Sequence, residues 1–75
     1  MTSMKSITKV YTVDTDDLGD FLLCIDDATD FDYEDDTPAT VKVYSDSHDT
    51  FRLIEQRAIN RGIAYKSTLY IGGEQ

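Results

Sequence analysis

The fold of this 75-residue chain turns on one stretch, DTDDLGDFLLCIDDA, Asp14–Ala28. Read at a period of 3.6, Leu18, Phe21, Leu22 and Ile25 fall at i, i+3, i+4 and i+7 and make one apolar stripe. Asp14 or Thr15 then caps the helix, and Asp16 and Asp17 lie in its first turn, where the dipole favours negative charge. Asp16, Asp20 and Asp27 share the opposite face, with Asp16 and Asp20 about 6 Å apart along the axis. Read instead as strands, Asp17-Leu18-Gly19 lies near a hairpin turn and Phe21–Ile25 is a buried strand. Gly19 weakens the helix by about 1 kcal/mol relative to alanine, and Leu23 lands on its acidic side. The four stripe positions outweigh both objections, and the spacing predicts a helix.

Working outward, Met1–Ser6 reads as a frayed end. Ile7–Val13 alternates Ile7, Lys9, Tyr11 and Val13 against Thr8, Val10 and Thr12, the pattern of a strand. Thr29–Pro38, which holds the only proline, reads as a loop. Ala39–Tyr44 reads as a strand with Val41 and Val43 facing one way. Ser45–Arg61 reads as a helix capped by Asp46 or Ser47, with Phe51, Ile54 and Ala58 as its core stripe. Gly62 ends it, and Arg57 and Arg61 lie near the negative end of its dipole. Ile63–Ile71 alternates as a long strand, and Gly72-Gly73 follows it. Lys9-Val10-Tyr11 recurs as Lys42-Val43-Tyr44, and Leu18, Phe21 and Ile25 recur as Phe51, Ile54 and Ala58, all at an offset of 33 residues. The expected fold is therefore α+β: one domain over 1–75, a three-stranded sheet with two helices in the order β-α-β-α-β. If Asp14–Ala28 forms the hairpin, the order is β-β-β-α-β.

Fifteen acidic residues stand against seven basic ones, for a net charge of −8. Eleven of the acids lie between Asp14 and Asp36, and no Lys or Arg occurs between Lys9 and Lys42. From Lys42 onward the charges nearly balance, which speaks against the evenly spread acidity of a halophile protein. Such a chain is a poor ligand for nucleic acid or for an anionic membrane, since phosphate binding needs Lys and Arg. Its segregated charge instead attracts a basic partner; the plainer alternative is an acidic loop that only aids solubility. A single cysteine cannot form an intrachain disulfide, and no apolar run follows Met1–Ser6 as a signal peptide requires. The expected location is the cytoplasm.

Catalysis finds little support. Cys24 lies inside the apolar run Phe21–Ile25, the setting of a core cysteine, and His48 stands at a helix start. One Cys and one His cannot close a zinc site. Asp14, Asp16 and Gly19 match positions 1, 3 and 6 of a calcium-binding EF-hand loop, but Leu18 and Ile25 occupy positions 5 and 12, where oxygen ligands are needed. No catalytic residue, metal ligand or cofactor is assigned.

Two resemblances follow. Val41-Lys42-Val43-Tyr44-Ser45, a helix, then Gly62-Ile63-Ala64-Tyr65 resembles the first strand–helix–strand of glutaredoxins. Ser47, His48, Asp49 and Thr50 stand where the redox cysteines open that helix, so the resemblance carries no thiol chemistry with it. In size and acidity the whole chain resembles the small phage-encoded inhibitors and DNA-mimic proteins that block nucleases, repair enzymes, polymerases or CRISPR complexes. That resemblance implies a viral protein acting in a host cytoplasm.

The candidate contact surface comprises Asp16, Asp20 and Asp27 on the helix, and Asp30, Phe31, Asp32, Tyr33, Glu34, Asp35 and Asp36 in the loop. Closely spaced carboxylates can imitate a run of phosphates, and aromatics set among them suit interface anchors; the alternative for Phe31 is a lid over the core. The leading expectation is a non-catalytic inhibitor or regulator that docks this surface on the basic surface of a nucleic-acid-handling protein. The second is an antitoxin-like or adaptor-like interaction module using the C-terminal strand or the Leu53/Ile59 helix surface. The third is weak divalent-cation binding by the Asp30–Asp36 run. A homodimer through Lys66–Ile71 is compatible with each.

Overall fold

The computed structural model describes residues 7–71, with the side chain of Ile71 excepted. The expectations for Met1–Ser6 and Gly72-Gly73 lie outside them. The chain runs β1 (Ile7–Val13), a 3₁₀ turn (Thr15–Asp17), α1 (Leu18–Leu22), β2 (Asp30–Glu34), β3 (Ala39–Ser45), α2 (His48–Asn60) and β4 (Tyr65–Ile71). The class is α+β, as expected, but the sheet has four strands and not three. Its order is β2-β3-β1-β4, with every neighbouring pair antiparallel. β1 and β2 are therefore parallel with β3 between them, and β3 and β4 are parallel with β1 between them. Two split β-α-β units interleave in the ferredoxin-like topology. Neither β-α-β-α-β nor β-β-β-α-β describes this order.

The extra strand comes from the segment read as a loop. Asp30, Asp32 and Glu34 alternate with Phe31 and Tyr33, and this period of two pairs in register with β3, Phe31 against Val43 and Tyr33 against Val41. Aspartate is a poor strand former. Here its side chains stay exposed while the neighbouring strand satisfies the backbone, and that pairing overrides the propensity. Of the segment read as a loop, Thr29 and Asp35–Pro38 stay outside the strands.

Asp14–Ala28 contains the expected helix and not the hairpin, but in shortened form. Neither Asp14 nor Thr15 caps it through its side chain. Past α1, Cys24 N–H donates to Phe21 O at 2.9 Å and Ile25 N–H to Leu22 O at 3.2 Å. These three-residue bonds wind the chain more tightly than an α-helix does. They turn Cys24 and Ile25 inward together while Leu23 stays exposed. α2 starts three residues later than the Ser45–Arg61 reading, because Ser45 closes β3, but its cap and stripe are as read: the Ser47 side chain accepts from Asp49 N–H, Phe51, Ile54 and Ala58 are buried, and Gly62 adopts φ 75°. Side chains rarely tolerate that left-handed backbone, which glycine accepts freely.

Both helices cover one face of the sheet. Ile7, Tyr11 and Val13 from β1 and Ala39, Val41 and Val43 from β3 meet Leu18, Phe21, Cys24, Ile25, Phe51, Ile54, Ala58 and Ile63 there. The 33-residue echo holds for the helix stripes, all six of whose residues are buried. In the strands it fails: Tyr11 faces the helices, whereas Tyr44 lies on the opposite face. An odd offset between strands reverses every side chain.

Tyr11 occupies the centre of this core. Its ring centroid lies 5.1 Å from that of Phe21 and 5.6 Å from that of Tyr65. Its hydroxyl donates to Glu55 Oε2 at 2.7 Å, and Lys9 pairs with the same oxygen. Burial, then the bond to Glu55, holds the Tyr11 hydroxyl far above the ordinary tyrosine range. An unfolded tyrosine ionises near pH 10, while folded Tyr11 keeps its proton. Above that pH the folded state binds more protons than the unfolded one, so stability falls as pH rises, by up to about 1.4 kcal/mol per pH unit for this group. Urea unfolding at pH 8 and pH 11 should show this loss. Tyr11→Phe should cost about 1–2 kcal/mol at pH 8 and flatten the decline above pH 10. An equal decline in the variant would remove Tyr11 as its cause.

Candidate partner-binding surface

The face of the sheet away from the helices carries no second layer among the described residues. Across its four strands it presents Asp30, Asp32 and Glu34 from β2, then Thr40, Lys42 and Tyr44 from β3. Thr8, Val10 and Thr12 follow from β1, and Lys66, Thr68 and Tyr70 from β4. The acids of β2 therefore form one column, at about 6.8 Å per repeat along the strand. In register they stand beside Tyr44, Lys42 and Thr40. Tyr44 Oη donates to Asp32 Oδ2 at 3.2 Å. Burial, and then that bond, raises the Tyr44 hydroxyl. Asp32, Tyr33, Glu34, Thr40 and Lys42 line a hollow of about 330 Å³.

The column ends at the exposed turn residues Asp35 and Asp36. Thr15 Oγ1 donates to Asp36 O at 2.6 Å. That bond brings the Asp14–Asp17 run against the β2–β3 turn, so two acidic segments separated by about twenty residues of sequence share one end of the sheet.

The remaining anticipated residues are placed differently. The ladder of Asp16, Asp20 and Asp27 along one regular helix does not form: Asp16 is in the 3₁₀ turn, Asp20 in α1, and Asp27 beyond both. Three-residue winding breaks the spacing that would align them. All three are exposed, but Asp16 and Asp20 belong to the helical layer, across the sheet from Asp32. Asp27 lies before the start of β2, the opposite end from Asp35. The neighbouring Asp26 is paired, its Oδ1 2.8 Å from Arg57 Nη1, which also donates to Cys24 O at 3.1 Å. The acids thus lie in both layers and at both ends of β2, and not in one plane.

Phe31 and Tyr33 point to the helix side of β2, away from the acid column. Their rings stack at a centroid distance of 6.4 Å. Phe31 packs on the core, as the lid reading anticipated, while Tyr33 is 52% exposed. Lys42 and Tyr44 were absent from the anticipated site although they border the acid column. The signal was present, since inward Val41 and Val43 require outward Lys42 and Tyr44.

Cys24 is fully buried, and burial pushes its thiol up, away from the reactive thiolate. Among the described residues no group of three or more His, Cys, Asp or Glu side chains is placed to hold a metal ion, and no helix is long and apolar enough to cross a membrane.

The Thr15–Asp36 bond holds like-charged segments together, so its loss should let them separate. Thr15→Val is expected to lower stability by about 0.5–1.5 kcal/mol in 1 M salt, with a smaller loss in low salt, where separation of the segments also relieves their unscreened repulsion. A salt-independent loss would show that the bond does not work against charge repulsion. The chain matches no family model, no curated protein and no solved structure.

Proposed function

We propose that this chain is a non-catalytic binding protein that presents the β2 edge to a basic surface on a nucleic-acid-handling protein, in the manner of a DNA mimic. The observation that carries this reading is the column Asp30, Asp32 and Glu34 on an open sheet face, continued by Asp35 and Asp36. A strand repeat of about 6.8 Å is twice the 3.4 Å axial spacing of phosphates along one DNA strand. A rigid strand keeps that spacing without ordering a loop on binding, which lowers the entropic cost of association. The Asp14–Asp17 run beside the turn extends the negative field, and such fields accelerate encounter with cationic partners. The mimicry is confined to β2 and its turn; Asp16, Asp20 and Asp27 contribute to the field and not to the regular spacing.

The reading is tested by capturing partners on the immobilised chain and challenging them with salt and with duplex DNA. A nucleic-acid-binding protein released by both is the expected capture. Replacing Asp30, Asp32 and Asp35 by lysine should weaken that binding by about a hundredfold or more, since juxtaposed like charges cost several kcal/mol. Binding that survives the triple replacement, or that neither salt nor DNA disturbs, would overturn the proposal.

A further inference from the structure

We infer that β4 is a self-association edge, and that two copies of this chain join through antiparallel β4–β4 pairing into one eight-stranded sheet. The two edges of the sheet are unlike. β2 is five residues long and carries three acids, which suits an edge that resists pairing. β4 is seven residues long, has β1 as its sheet neighbour on one side only among the described strands, and carries the single charge Lys66. Alternate residues of β4 turn their backbone groups away from β1, the usual template for another strand.

The sequence of β4 suits pairing with itself. About a two-fold axis at Thr68, Thr68 meets Thr68, Lys66 meets Tyr70, and Ser67 meets Leu69. No like charges oppose one another, and each cation lies beside an aromatic ring. Exposed apolar side chains flank this edge on both faces of the sheet: Leu69, on the helix side, is 43% and Tyr70, on the open face, 55% exposed. On α2, Glu55 reaches toward Lys9 and Tyr11 while Arg57 reaches toward Cys24 and Asp26. Ile59 follows Glu55 by one turn on the same flank and is 61% exposed.

Charge distribution decides the occupant. A chain of net charge −8 resists self-association wherever its acids meet. In the β4-paired arrangement the two β2 strands lie at opposite ends of the joint sheet, about 34 Å apart at 4.8 Å per strand. That separation far exceeds the screening length of about 8 Å at physiological salt. Both acidic edges stay open, so the association is independent of the function proposed above.

Sedimentation of the full chain at high micromolar concentration should show a dimer. Thr68→Lys places like charges opposite each other at the two-fold and should raise the dimer dissociation constant about fivefold or more. Circular dichroism reports whether that variant keeps its fold. Thr68→Cys should form an intermolecular disulfide under mild oxidation, since Cα atoms directly opposite in an antiparallel pair are about 4.5–5.5 Å apart. Asp32→Cys on the far edge should not cross-link. A chain monomeric throughout this range would overturn the inference, as would a dimer unaffected by folded Thr68→Lys or cross-linking equally at position 32. Lysine replacement of Asp30, Asp32 and Asp35 should leave the dimer intact, separating this result from loss of the partner-binding activity.

Discussion

The hydroxyl of Tyr11 against the carboxylate of Glu55 ties the centre of the sheet to α2, while the Tyr11 ring contacts Phe21 of α1 and Tyr65 of β4. One side chain thereby registers two helices and an edge strand on β1, itself the strand with partners on both sides in β3 and β4. Glu55 would be a costly charge so near the core if it stood alone. Lys9 pairs with it, and the Lys9 amine lies 5.8 Å from the Tyr11 ring centroid and 6.0 Å from that of Phe51. Truncating either charge would leave the other poorly solvated, so the pair constrains the core even where its net stabilisation is modest.

With the core held on one side, the sheet tolerates a column of three carboxylates at the border of the other. Strand alternation separates the two demands residue by residue: Phe31 and Tyr33 serve the packed face, and Asp30, Asp32 and Glu34 the solvated one. A helix would spread the same five residues around its axis. The strand keeps the carboxylates in line, which is the feature the proposed docking uses. At the other edge, β4 has little charge to discourage a neighbour, so the two borders of one sheet have opposite chemical character.

Much of this was readable in the residues. Ile7–Val13 and Phe51, Ile54 and Ala58 announce their elements through periods of 2 and 3.6, and Ser47 and Gly62 mark the ends of α2 through capping chemistry. Asp30–Glu34 carried an equally clean alternation, yet its composition argued for a loop. Strand pairing is a long-range interaction with β3, which a local propensity cannot register. The same limit hid the tightening after Leu22, where inward packing of both Cys24 and Ile25 selects three-residue bonds over a continued helix. For the candidate site, the acids and their exposure were legible from charge alone. Their division between the two layers was not, because it follows from which face of the sheet the helices cover. Lys9 illustrates the converse: its inward phase in β1 was visible, but its acceptability there depends on Glu55, 46 positions later.

The position of β1 in the sheet also bears on how the chain reaches its native state. Among the described strands, β1 has no neighbour until β3 has formed and none on its other side until β4 arrives. Only β2 and β3 meet through a short turn. Contacts of such large sequence separation carry a loop-closure penalty before they are rewarded. During synthesis from the N-terminus, the apolar side of β1 must therefore wait in an incomplete assembly, and β1 gains its second border only when β4 arrives.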